Sequence, residues 1–382
     1  MHIVISGAFW SQPTVGSGQY LHGLIGALWR SAPEHAYTLL LPASAGAGPL
    51  PPPGVSLCVL RTPFDGRSAN LAKLWYEQVS VPLAAALLRA DLLHVPYFAP
   101  PLWSSAPLVA TVLDIIPLLL PEYRGRPAVR AYMRLVARAI RRADHVIAIS
   151  DASRRDILAH LGIPPARVTT IPLAADAQYH PRDRNQAAAV AERYGMCGPF
   201  VYYVGGLDAR KNVQTLVRAF GRLQRSGGPR ATLAIAGRAL GTDRALFPDL
   251  DALIAAERLA PWVRRLDVPH ADNPWLYAAA TAFAYPSRYE GFGLPPLEAM
   301  ACGTPVVVAD TSSLPEVVGD AALRVPPDDI PGWTTALWRL LGDEALRMEL
   351  RRRGLQRARQ FSYEQVAKKT AAIYAQVGWA RG

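Results

Sequence analysis

A chain of 382 residues, 51% hydrophobic and 19% charged, reads as globular and is too long for one ordinary core, so two domains are expected. The net charge of +11 comes mostly from arginine, which suits phosphate-bearing ligands, acidic lipid surfaces or nucleic acid. Cys58, Cys197 and Cys302 are scattered and the eight histidines fall into no metal-ligand spacing, which argues against disulfides and structural zinc.

The chain opens MHIVISG, a strand pattern with no basic-then-apolar leader, so a cytoplasmic protein is expected. Next comes a loop, GAFWSQPTVGSGQY, in which Gly16, Ser17 and Gly18 open a helical pattern from Gln19 to Trp29. Glycines at such a place either let backbone amides approach an anion or a sugar hydroxyl, or supply turn dihedrals. The runs YTLLLP, DLLHVP and LVATVLD follow, then HVIAIS with a helix from Arg154 to Leu161. Leu92 to Leu113 carries no charge, but Pro96, Pro100, Pro101 and Pro107 exclude a membrane-spanning helix there. Short apolar runs separated by helices are the pattern of parallel βαβ units.

A polar stretch from about Ala174 to Ala191 separates this rhythm from its repetition in PFVYYVGG, a helix from Val213 to Leu223, ATLAIAG, RRLDVP, TAFAYPS and TPVVVAD. A charged helical segment from Asp343 to Gln360 leads into FSYEQVAKKTAAIYAQV. The expected organisation is therefore residues 1–180 and 192–360 as two doubly wound α/β halves, with 361–382 a terminal helix packing back on the first half.

In such sheets ligands bind beyond the carboxyl ends of strands. In VGGLDARKNV, Arg210 and Lys211 stand between a strand end and a helix start. There they can neutralise a diphosphate or form a solvated basic turn. In YEGFGLPPLEAMACGTPVV, Gly291 and Gly293 expose amides, and Pro295 and Pro296 fit the first positions of a helix whose positive end would hold a phosphate. Glu298 on that first turn would stabilise the helix dipole. Glu290, outside the helix, gains nothing of the kind. Two acids beside a phosphate cradle suit a ligand that also carries hydroxyls, because carboxylates accept paired O–H bonds.

At these residues the chain resembles the retaining GT-B glycosyltransferases of family 4. The likeness rests on the E-x7-E element Glu290 to Glu298, on SSLPEVVGDAAL after it, on VGGLDARKN before it and on the aspartate of LDIIP. The resemblance implies two Rossmann-like domains facing across a cleft, an acceptor-side first half, a donor-side second half and no obligatory metal or other cofactor. It places Arg210 and Lys211 on the diphosphate of a nucleotide-sugar donor, Glu290 on the transferred sugar, and Glu298 on the ribose. Asp114 joins Arg210, Lys211 and Glu290 as catalytic. Gly16, Ser17, Gly18, Gly206, Gly291, Phe292, Gly293 and Leu294 join Glu298 as donor-binding, with the amides from Phe292 to Leu294 capping the phosphate.

One position departs from the family. Leu113 precedes Asp114 where members commonly have histidine, and leucine can neither donate a hydrogen bond nor shuttle a proton. A more apolar sugar pocket, favouring deoxysugars, is the expectation. His94 follows another strand, and its simplest reading is a histidine satisfied within the fold. The implied activity is retaining transfer of a mannosyl- or glucosyl-type sugar from a GDP- or UDP-sugar to a hydroxyl of a glycan, lipid-linked or small-molecule acceptor. A GT-B-like sugar-nucleotide epimerase and a non-catalytic nucleotide-sugar-binding protein are the alternatives.

Arg124, Arg126, Arg130, Arg134, Arg138, Arg141 and Arg142 cluster on a helical stretch. They are most simply a solvated face, yet able to hold an anionic inner membrane surface when the acceptor is lipid-linked. No basic run with interleaved aromatics points to nucleic acid. Residues that choose base, sugar and acceptor lie in loops such as Ala239 to Leu250 and Ser11 to Val15, where pattern gives no chemistry.

Overall fold

The computed structural model describes residues 1–46, 48–239 and 241–379. Leu240 of the loop Ala239 to Leu250, and residues 380–382 of the expected terminal helix, lie outside the described residues. The chain forms two compact units. One is Met1–Ala174 with the stretch from Ser362 onward, and the other is Ala175–Phe361.

In the first unit seven strands form a sheet in the order β3-β2-β1-β4-β5-β6-β7. They are β1 His2–Ser6, β2 Ala36–Pro42, β3 Val55–Leu60, β4 Leu92–Val95, β5 Leu108–Val112, β6 His145–Ala148 and β7 Val168–Thr170. All pairs are parallel. Helices cover both faces of such a sheet, which is why β4, β5 and β6 are buried along their whole length. The edge strand β3 instead leaves Leu57 and Val59 exposed.

The terminal helix Tyr363–Trp379 packs in this unit against the helix Gly16–Ser31. There the Tyr363 hydroxyl donates to the Gln19 carbonyl at 3.1 Å. Tyr374 lies 2.6 Å from His94 Nδ1, and His94 Nε2 lies 2.9 Å from the Thr111 hydroxyl. His94 is fully buried, and burial pushes its pKa down to about 3, so it is a neutral core residue.

The second unit has six parallel strands in the order β10-β9-β8-β11-β12-β13. They are β8 Phe200–Val204, β9 Thr232–Ala236, β10 Val263–Leu266, β11 Ala282–Tyr285, β12 Val306–Ala309 and β13 Ala322–Val325. Arg264 and Arg265 stand exposed on β10, the kind of charge that blunts an open sheet edge. The stretch Ala174 to Ala191 is no free linker. Tyr179 is buried edge-on against Tyr277, and Asp183 caps the helix Arg184–Arg193, which packs on the helix Asn273–Ala279 of the same unit.

Each strand order reverses once, between β1 and β4 and between β8 and β11. These are the switch points at which adjacent loops part and leave room for a ligand beyond the strand ends.

Candidate functional site

Two loops flank the β8/β11 switch point. After β8 the chain turns through Gly205–Asp208 into the short turn Ala209–Lys211 and the helix Val213–Arg225. After β11 it runs through Ser287–Gly293 to the helix Leu294–Cys302. They are tied together by backbone groups. The Arg288 N–H donates to the Arg210 carbonyl at 2.8 Å, and the Arg210 guanidinium donates to the Tyr289 carbonyl at 2.7 Å.

This joint brings three of the expected residues onto one atom. The Lys211 ammonium donates to Glu290 Oε1 at 2.6 Å and to the Tyr285 hydroxyl at 2.7 Å. That hydroxyl donates to the same carboxylate oxygen at 3.0 Å. Arg210 Nη1 lies 3.2 Å from it, while Arg210 Nε faces Asp208 at 3.5 Å. Glu290 is buried, and burial alone would push its pKa up. Lys211 and Arg210 outweigh burial and hold it at about 2. Burial pushes the Lys211 pKa down, with Glu290 opposing. Glu290 is thus the counter-ion of both cations, and together with Asp208 it neutralises them. The two cations are not the open basic turn that sequence allowed.

Ser312 and Ser313 fix the loop beyond. Ser312 Oγ accepts from the Glu290 N–H at 3.0 Å, and the Ser313 hydroxyl lies 2.9 and 2.5 Å from the carbonyls of Glu290 and Phe292. Phe292 is buried edge-on against Phe361. Gly293 has φ +117°, and a Cβ there would stand 2.8 Å from Leu314, so only glycine fits. The helix begins at Leu294, and its first N–H groups have no intrahelical acceptor. Gly206 lies within the first loop, where a Cβ would stand 3.0 Å from the Asp208 carboxylate.

Glu298 belongs to a different cluster. It is the fifth residue of its helix, not part of the first turn, so the dipole role expected of it is withdrawn. The Tyr277 hydroxyl donates to Glu298 Oε2 at 3.0 Å, and Tyr179 stands close enough to the carboxylate to oppose the rise in its pKa. With no cation among the influences on it, burial pushes its pKa up to about 7 against the two tyrosines, and Asp176 adds to the rise. Aromatic rings close the cage: Tyr277 stands edge-on to Tyr179, Tyr202 and Phe283.

The remaining expected residues lie in the first unit. Gly16 starts the helix Gly16–Ser31 with open space where a Cβ would be. Ser17 follows it on the first turn. Gly18 is needed for packing, because a Cβ would sit 1.8 Å from the Gln12 carbonyl oxygen. Leu113 and Asp114 follow β5, and Asp114 Oδ1 accepts from the Ile116 N–H at 3.1 Å. Among the described residues no group of histidine, cysteine, aspartate or glutamate is arranged to hold a metal ion.

The sequence profile described as Glycosyltransferase Family 4 matches residues 15–179, and that of Glycosyl transferases group 1 matches residues 195–359. O-antigen chain mannosyltransferase B of Escherichia coli is 36% identical over 268 residues, 70% of this chain and 69% of that protein. The chain belongs to the family 4 glycosyltransferases. The serotype-specific mannosyltransferase WbdA of Escherichia coli is 28% identical over 257 residues, 66% of this chain but 31% of that longer protein. The solved structure of Anabaena HepE in complex with UDP and glucose matches with a TM-score of 0.76 at 20% identity, covering 98% of this chain and 99% of that one. The fold is GT-B, and the protein is a glycosyltransferase.

Several residues of this cluster carried no sequence signal of their own. Tyr285 ends β11 and bonds both Lys211 and Glu290. Tyr203 stacks on Tyr285 and donates to the Gly206 carbonyl at 2.6 Å. In sequence both read as ordinary strand residues, and only their position at strand ends hinted at more.

Proposed function

We propose that this glycosyltransferase moves a mannosyl- or glucosyl-type sugar from a GDP- or UDP-sugar to a hydroxyl of a glycan, lipid-linked or small-molecule acceptor, with retention of configuration and without a metal. The observation that carries this reading is the meeting of Lys211, Arg210 and Glu290 on one carboxylate oxygen beside the helix that starts at Leu294. The mannosyltransferase relatives and the UDP and glucose of HepE support the choice of donor.

The chemistry follows from that arrangement. An incoming diphosphate brings more negative charge to Lys211 and Arg210 than one carboxylate does. It displaces Glu290 from the cations, and the released carboxylate accepts hydroxyls of the transferred sugar. Lys211, Arg210 and the amides from Phe292 to Leu294 then stabilise the charge that grows on the leaving diphosphate, each donor of this kind contributing about 3 kcal/mol. Glu298 takes the ribose hydroxyls. Retention follows from attack on the same face as departure, the leaving phosphate accepting the acceptor proton, so no side chain is assigned as nucleophile. For Asp114, Gly16, Ser17 and Gly18 the roles proposed are those that the family resemblance implies.

Incubation with GDP-mannose or UDP-glucose and a mannoside acceptor tests the reading, with NMR of the product's anomeric centre. A product of the donor's own configuration is expected. An inverted product, or donor isomerisation without acceptor, overturns it. A 6-deoxy donor run beside these reads the effect of Leu113.

The helix Pro127–Arg142 supports a membrane-associated acceptor at a cytoplasmic face. Arg130, Arg134, Arg138, Arg141 and Arg142 are all exposed along it, and no acid occurs between Arg124 and Arg142. No helix among the described residues is long and apolar enough to cross a membrane. Binding to vesicles containing phosphatidylglycerol that weakens with salt is expected. Equal binding to neutral vesicles would remove this contact.

A further inference from the structure

The first unit has its own switch point, between β1 and β4, and a buried carboxylate lies there that the chemistry above leaves unused. Glu77 sits in the five-residue π-helical turn Tyr76–Ser80, between the helices Ala69–Trp75 and Val81–Leu87. Single π-turns are uncommon and concentrate at functional sites.

The Glu77 side chain is 1% exposed. Its Oε2 accepts from the Tyr132 hydroxyl at 2.7 Å. Its Oε1 has no hydrogen-bond donor, and the Lys73 ammonium stands off at 3.8 Å. Tyr97, two residues beyond β4, lies close enough to the same carboxylate to oppose the rise in its pKa, and it stands near Ser6 at the end of β1. Burial pushes Glu77 up to about 7 despite Lys73 and the two tyrosines. An unsatisfied buried acceptor is costly, so Oε1 calls for a partner that the fold itself does not supply.

The surroundings suit one class of ligand. Phe9 stands edge-on to Tyr97 at 5.4 Å, and the Lys73 ammonium lies over the rings of Phe98 and Tyr132 at 5.9 and 4.9 Å. Aromatic faces cover the C–H face of a sugar ring, and a carboxylate with spare lone pairs accepts its neighbouring hydroxyls. Lys73 is half-exposed on a flexible stem, so the lid over Glu77 is a side chain that can swing.

We propose that Glu77, Tyr97 and Tyr132 form a pyranoside subsite of the first unit, in which Glu77 selects the acceptor by accepting its vicinal hydroxyls. The proposal rests on reading the protein as a transferase to a hydroxyl acceptor. It adds the place and the chemistry of acceptor recognition.

Saturation-transfer NMR with methyl α-mannopyranoside tests it on the full chain. The wild type is expected to bind, Glu77→Gln to bind roughly tenfold more weakly or worse, and Lys211→Met to bind as the wild type does. The unfolding midpoint of Glu77→Gln is expected to stay level or rise, since a buried charge is removed; a purely structural acid would lower it. No mannoside binding to the wild type, equal binding by Glu77→Gln, or a lowered midpoint with binding retained would overturn the subsite. Nucleotide stabilisation and donor turnover, read on the same samples, separate the two levels. Their loss with Glu77-dependent mannoside binding intact would sink the donor reading alone.

Discussion

Glu290 and Glu298 stand eight positions apart, are both buried, and have opposite electrostatics. Glu290 shares one oxygen with Lys211 and Arg210 and is held at about 2. Glu298 sits among tyrosines, with no cation to oppose burial, and is pushed up to about 7. The lesson is that spacing in a motif does not set the chemistry of its members; the elements that close around each one do. Lys211 and Arg210 keep one acid ionised, while burial, opposed by two phenols and no cation, raises the other to about 7.

Removing Lys211 breaks this contrast most severely. Lys211→Met is expected to lower turnover by roughly 10²–10³, as loss of a preorganised charge donor does. It should also cost about 1–3 kcal/mol of stability, less than a wholly unpaired buried acid because Arg210 still faces Glu290. Release of nucleoside diphosphate and denaturant unfolding measure the two effects.

The pH dependence sharpens the contrast. A depressed pKa means that Glu290 stabilises the fold above pH about 4.5 and loses that contribution as pH falls towards 2. Glu298 has a raised pKa, so its contribution is complete below pH about 4.5 and declines by about 3 kcal/mol as pH rises to 7. Glu77 is raised to about 7 as well, so Glu298→Gln should reduce the fall in stability between pH 5 and 7 by roughly half and leave the acid limb unchanged. If ribose recognition needs the ionised acid, wild-type affinity for a nucleoside diphosphate should rise several-fold from pH 6 to 8, and the variant should lose that rise. Titration calorimetry across pH checks both chains.

How much of this was legible in the sequence follows from the same physics. The central strands were readable because a parallel sheet covered on both faces demands unbroken apolar runs such as HIVIS and TAFAYPS. The strands β3, β7 and β13 were not, since they lie towards the edges of their sheets, where VSLCVL half-faces solvent and ALRV carries an arginine. Arg210, Lys211 and Glu290 were found because charge beside glycine at a strand end is unusual. Their mutual pairing was not, because it depends on loops from two different strands meeting. The Glu298 cage needs Tyr179, which lies more than a hundred residues earlier in the chain. Glu77, four residues after Lys73, has the spacing of an ordinary surface helix pair, and only the π-turn and the packing of Tyr97 and Tyr132 bury it.

The carboxyl edge of the second sheet is proposed as a nucleoside diphosphate site governed by Lys211. Thermal unfolding of the wild type and of Lys211→Met with GDP, UDP, ADP and dTDP in turn, with and without EDTA, tests it most directly. A raised midpoint with one nucleotide, indifferent to EDTA and lost in Lys211→Met, is the expected result. No shift with any nucleotide, or an equal shift in the variant, would contradict it.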